Sequence, residues 1–217
     1  LHACMTRQNT RAVVVSHEKE ATKRLLARVR HMLRHSVMPA EVRKDAATEL
    51  SFPATDSTFW IGTAGTRAFG RGDDITHAHL SEPAHYKSLE VVTSVQEAMV
   101  AGADTYFVME STAKGAGTPF HEMCLRAQRG ESNLRLHFYP WHANPAYSAP
   151  SRAFELVDEE RKLKDAFGLS YDQLAWRRWK LSTMRDPAEF PQEYPATLEE
   201  AFLSSGRMVF DWSAIKA

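Results

Sequence analysis

Residues 75–82 read ITHAHLSE and residues 104–117 read DTYFVMESTAKGAG. Both are short strand-like runs that stop abruptly on polar groups: Ser81 and Glu82 in the first, Glu110, Ser111 and Thr112 in the second. The apolar run Tyr106 to Met109 predicts a buried strand, and the Ser/Thr/Gly tail behind it predicts a loop. Upstream, residues 12–20 read AVVVSHEKE, a β-branched run closed by Ser16, and Leu25, Leu26, Val29, Met32 and Leu33 follow at helical spacing. That is strand, turn, helix, with Ser16 the expected cap of the helix and His17 to Glu20 its polar start. Residues 49–65, ELSFPATDSTFWIGTAG, predict two more short strands, around Ser51 and from Phe59 to Thr63. A helical stretch runs to about Met99, Phe120, Met123, Cys124 and Ala127 mark a further helix face, and residues 134–141, LRLHFYPW, predict another strand.

Strands alternating with helices as far as Trp141 define an α/β fold whose sheet is mainly parallel with helices on both faces. Ligands of such sheets sit outside the carboxyl ends of the strands, where ITHAHL and TYFVM deliver their polar residues. Beyond Pro145 strands give way to helical patterns around Glu155 to Ala166 and Tyr171 to Met184, broken by Pro187, Pro191 and Pro195. The expected organisation is therefore an α/β core over residues 1–145 and a helical subdomain over residues 146–217.

Composition narrows the function classes. The chain has 217 residues, 43% hydrophobic and 25% charged, which gives no support to a disordered, collagen-like or disulfide-scaffold protein. Lys+Arg and Asp+Glu are 27 each, so net charge does not mark a nucleic-acid binder. Cys4 and Cys124 match no metal or redox spacing and are expected to be buried thiols. No apolar run is long enough for a membrane span. The start, LHACMTRQNTRA, lacks a signal-peptide pattern and an initiator Met, so Leu1 is expected to be a cut within a longer chain.

Several residues could carry chemistry. His77 and His79 alternate along a strand, so with Glu82 they offer an alternative reading as a metal-dependent hydrolase, although a satisfied strand histidine is the commoner case. Arg71 stands between Gly70 and Gly72 in the loop TAGTRAFGRGDD, where the backbone can turn sharply and present the guanidinium. Trp176, Arg177, Arg178, Trp179 and Lys180 combine aromatics with cations, the composition of a nucleic-acid platform and equally of a helix packing its tryptophans under basic stems. A chain of this kind could also serve as a non-catalytic interaction module.

The strings GTAGTRAFGRGDDITHAHLSEPAHY (62–86), ESTAKGAGTPFHEM (110–123), HFYPWHANPAY (137–147) and FPQEYPATLEEAFLSSGRMVFD (190–211) together resemble the ATPase domain of tailed-bacteriophage large terminase subunits, from about Arg11 to Asp211. The resemblance implies an additional-strand P-loop ATPase core with a helical lid. It implies a role in the homo-oligomeric, ATP-driven ring that moves double-stranded DNA into a procapsid, with portal protein and small terminase subunit as partners, in the host bacterial cytoplasm and without a membrane. It implies Glu82 as the residue facing the attacking water, Ser111 and Thr112 as the sensor and coupling residues, and Arg71 as a finger reaching a neighbouring subunit's ATP. Arg177, Arg178 and Lys180 become DNA-facing candidates on the lid. Two departures stand out. No Gly-rich loop with Lys and Ser/Thr precedes AVVVSHEKE, and no nuclease carboxylate cluster follows Asp211; the phosphate loop and a nuclease domain are expected outside this chain. ATP and Mg2+ are thus expected for the full-length protein, with neither held tightly by this piece. Ser81 stands where the wider class has a magnesium-associated Asp, and a hydroxyl there brings no charge.

Overall fold

The β-branched run at residues 12–15 becomes the centre of the sheet, which is where a strand buried on both faces belongs. In a computed structural model that describes residues 1–38, 40–66, 74–100, 102 and 104–203, the chain divides into two compact units, Leu1–Ser111 and Thr112–Ala217.

The first unit holds one six-stranded sheet in the order β2-β3-β4-β1-β5-β6. Its strands are β1 (Arg11–Ser16), β2 (Lys44–Asp45), β3 (Glu49–Phe52), β4 (Ser57–Thr63), β5 (His77–Ser81) and β6 (Tyr106–Glu110). β1 pairs in parallel with β4 on one side and β5 on the other, and β6 extends the parallel set from β5. The β2-β3 and β3-β4 pairs are antiparallel. Pro53–Thr55 and Asp56, which adopts a left-handed φ of 46°, reverse the chain between β3 and β4. One face of the sheet presents Ala12 of β1 opposite Phe59 of β4, and Leu50 of β3 opposite the same Phe59. Against it pack Cys4 from α1 (His2–Thr6) and Leu26 from α2 (Lys19–Arg34), forming a buried cluster with Phe52 and Ile61. Each such side chain contributes about 1.5–3 kcal/mol of burial. A third helix, α3 (Glu90–Glu97), buries Val92 and Val95.

Two local expectations are corrected here. Ser16 does not cap α2: it is the last residue of β1 and fully buried, while Glu18 occupies the N-cap position without a side-chain cap bond. The strand is one residue longer than the polar signal suggested, so the Ser16 hydroxyl is carried into the sheet. Residues 106–109 form a strand, but at the sheet edge, where β6 has one ladder partner among the described residues and Tyr106 stays 59% exposed.

The second unit is helical: α4 (Pro119–Gln128), α5 (Asp158–Phe167), α6 (Tyr171–Thr183), α7 (Phe190–Glu193) and α8 (Leu198–Leu203). Thr118 caps α4 by accepting from the His121 amide, with Pro119 in the first turn. Gly168, at φ 66°, ends α5, and Ser170 and Gln173 open α6 with a reciprocal capping box. The strand expected over 134–141 is absent. Burial does alternate there, and Leu136 and Phe138 pack against Ala113, Cys124, Ala201 and Phe202, but the segment has no ladder among the described residues. Alternating burial can be met by packing without a strand partner. Around Trp141, Trp176 and Phe190 a second, aromatic cluster forms, in which Trp176 stacks on Trp141 at 5.4 Å and on Tyr147 at 4.4 Å.

Candidate active site at the carboxyl end of the sheet

Parallel strands β1, β5 and β6 end together, so the residues at their carboxyl ends are brought to one edge by the ladder itself. β5 stops at Ser81, and Glu82 turns away in a left-handed conformation, φ 59° and ψ 47°. A non-glycine residue pays about 1–2 kcal/mol for that conformation, and strain of this kind concentrates at functional sites. The turn is held by the Glu82 amide donating to the Glu110 carbonyl at 2.8 Å and by the His85 amide donating to the Glu82 carbonyl at 2.9 Å. Pro83 follows, fixing the start of the short 3-10 turn Pro83–His85.

The Glu82 side chain then meets Ser111. Ser111 Oγ donates to Glu82 Oε2 at 3.0 Å and accepts from the Ala84 amide at 3.3 Å. The hydroxyl one residue beyond β6 thus ties together the acid and the turn beyond β5. Beside it lies a second carboxylate. Glu110 is in register with Ser81, and its Oε1 is 3.2 Å from His79 Nε2. Burial pushes the Glu110 carboxyl up, but hydrogen bonds from His79 and Ser81, with the nearby charges of His79 and His17, outweigh it and hold the group below its ordinary value. Tyr86 anchors the edge from behind by donating its phenol to the Val15 carbonyl at 2.9 Å; burial first, then the Glu110 and Glu82 charges, push that phenol well up. Ser16 Oγ and His17 Nδ1 are buried here without hydrogen-bond partners among the described residues.

The donors at this edge, Ser81, Glu82, Glu110 and Ser111, are all oxygens, the set suited to Mg2+ with its retained waters. The two-histidine arrangement does not form a comparable site. His77 Nδ1 lies 3.0 Å from Thr76 Oγ1, His79 faces Glu110, and among the described residues no three His, Cys, Asp or Glu side chains group as metal ligands. Burial lowers the His77 pKa. Ser81, Glu82 and Ser111 stand at this edge, Thr112 follows directly after Ser111 and is exposed, and Arg71 lies outside the described residues.

The basic run of α6 is engaged within its own unit. Arg177 pairs with Glu159 and lies over the Phe190 ring, and Lys180 lies over Tyr194 at 5.0 Å. Arg178 grips Glu160 through two bonds of 2.6 Å and sits 4.2 Å over Phe154, while Trp179 remains 56% exposed. Glu110 enters the sequence reading only as one of the polar groups at a strand end, and Tyr86 and the Ser16–His17 pair do not enter it as site residues. Counting in from both strand ends would have set Glu110 opposite Ser81, but nothing in the sequence marks a Tyr five residues past a strand as its anchor.

The carboxyl edge of a mainly parallel sheet thus turns out an acid, Glu82, and holds it by a hydroxyl that follows the neighbouring strand. No family model matches the chain, and no characterised protein sequence does. Solved structures do. The HK97 bacteriophage large terminase is similar over 91% of this chain and 42% of its own, with a TM-score of 0.57 at 16% identity. The large terminase of a thermophilic bacteriophage in complex with ADP matches 79% of this chain and 40% of its own, with a TM-score of 0.52 at 13% identity. Another crystal form of that phage terminase gives 0.52 at 15% identity over 88% of this chain and 41% of its own. At such identities the likeness is one of fold. The chain spans about two fifths of the length of these structures.

Proposed function

We propose that this chain is part of the ATP-hydrolysing motor that drives viral DNA into a procapsid, as a segment of a large-terminase ATPase domain. The observation that carries the reading is Glu82, turned off the end of β5 and held by the Ser111 hydroxyl just beyond β6, on a fold shared with large terminases.

In this reading a water attacks the γ-phosphorus of ATP, Glu82 orients it and takes its proton, and the bond from the γ-phosphorus to the ADP oxygen breaks. Mg2+ bound with the nucleotide would neutralise charge on the phosphate oxygens. Ser81 would lie in its vicinity. Ser111 fixes the Glu82 carboxylate until the nucleotide state shifts β6, and with Thr112 passes that shift to the second unit, whose residues from 146 onward act as the lid. Double-stranded DNA is the substrate moved, and the portal protein, the small terminase subunit and further copies of the same chain in a ring are the partners. Arg71 reaches the site of a neighbouring copy.

The test is Glu82→Gln in the full-length protein. The amide keeps shape but cannot accept the proton, so nucleotide binding should persist while turnover falls about 100- to 10,000-fold. Near-normal turnover would remove Glu82 from the mechanism.

A further inference from the structure

Register places three strand-end side chains in one row on one face of the sheet. Ser81 is opposite Glu110, and extending the Val15–Leu80 pairing by one residue sets Ser16 beside Ser81. In a parallel ladder, paired residues present their side chains to the same side. The row therefore runs Ser16, Ser81, Glu110, and it continues on the other side to Thr63, which pairs with Ser16. Its members differ in how they are satisfied. Thr63 Oγ1 is 2.8 Å from Thr22 Oγ1, and Ser81 stands directly across the ladder from Glu110. Ser16, fully buried, has a hydroxyl without a partner among the described residues, and a buried hydroxyl calls for one.

Position 81 offers a hydroxyl, which can touch a metal ion or its waters but brings no charge. One strand away, on the same face and at the same height, stands Glu110, half exposed at its side chain. We propose that Glu110 supplies the metal-directed carboxylate of this site, across the ladder from the uncharged Ser81. Glu82 and Glu110 then divide two tasks: Glu82 faces the attacking water, and Glu110 faces the water shell of the ion. This rests on the ATPase reading above. His79, with Nε2 at 3.2 Å from Glu110 Oε1, is a positioning residue that holds one oxygen of the carboxylate.

The experiment is Mn2+ binding to the full-length protein in the presence of ADP, followed by electron paramagnetic resonance of free Mn2+, with ADP binding in EDTA measured alongside. Wild type must first bind Mn2+ with nucleotide; if it binds neither, the ATPase reading itself falls, whatever Glu110 does. Given wild-type binding, Glu110→Gln should weaken Mn2+ at least tenfold and leave metal-free ADP binding unchanged. The double variant Ser81→Asp with Glu110→Gln places the charge on the other strand and should recover most of the lost affinity. Wild-type Mn2+ affinity in Glu110→Gln would overturn the proposal. So would a loss that Ser81→Asp fails to restore, because a carboxylate that only held His79 in place would not be replaced from position 81.

Discussion

Replacing Arg178 by Ala should unfold the second unit earlier, by an amount the geometry sets. Its Nε and Nη2 donate to the two oxygens of Glu160 at 2.6 Å each, and Nη2 also reaches the Glu155 carbonyl at 2.8 Å. The Glu160 side chain is 4% exposed and that of Arg178 is 43% exposed. Breaking a fully buried pair costs about 3–5 kcal/mol, and breaking an exposed one costs at most about 1. With one partner buried and the other half in water, about 2 kcal/mol is expected, and loss of the guanidinium over Phe154 adds about 0.5–1. At an m-value near 2 kcal/mol/M this moves the urea midpoint down by roughly 1 M. Trp176 and Trp141, stacked in the same unit, supply the fluorescence signal. Acid should erase the difference. Hydrogen bonds from Arg178, outweighing burial, hold the Glu160 carboxyl below its ordinary value. Its stabilisation is therefore complete above the ordinary carboxylate range and disappears as pH falls through the lowered folded-state value. The deficit of Arg178→Ala should be full at pH 7 and shrink on acidification. A midpoint at pH 7 within about 0.2 M of wild type would refute the reasoning, since it would make the pair no better than a solvated surface contact.

Arg71→Ala in the full-length protein should lower ATP turnover about 1,000- to 100,000-fold if the guanidinium acts as a finger, and mixing it with Glu82→Gln subunits should restore some hydrolysis, because each lacks what the other supplies. No recovery in rings shown independently to be mixed would end the assignment in trans. Both thiols should resist alkylation in the native chain: burial pushes Cys4 and Cys124 up to about 11, so iodoacetamide at pH 8 should label them only on unfolding. Rapid native labelling at either position would contradict the cores built on them.

The strands were legible where hydrophobic runs were uninterrupted, as at residues 12–15, and where turn residues bounded them, as at 57–63. Convergence of Ser81, Glu82 and Ser111 at one edge followed from parallel order alone. What lay beyond reach was register and edge position. Tyr106 to Met109 reads as a buried strand because apolar content cannot tell a central strand from an edge one. Residues 134–141 carry the period of a strand and meet it by packing alternate side chains into a helical unit. The Ser111 bond to Glu82 depends on a left-handed turn at a glutamate, for which no residue signal exists. On α6, the basic and aromatic composition left packing and nucleic-acid binding open; the partners of Arg177 and Arg178 sit 18 residues upstream, a distance that composition does not register.

The most direct measurement is a structure of the full-length protein with an ATP transition-state analogue. The account predicts the analogue outside the carboxyl ends of β5 and β6, with the attacking water about 2.6–3.2 Å from a Glu82 carboxylate oxygen. An analogue bound elsewhere, or a water oriented by a different residue with Glu82 turned away, would contradict it.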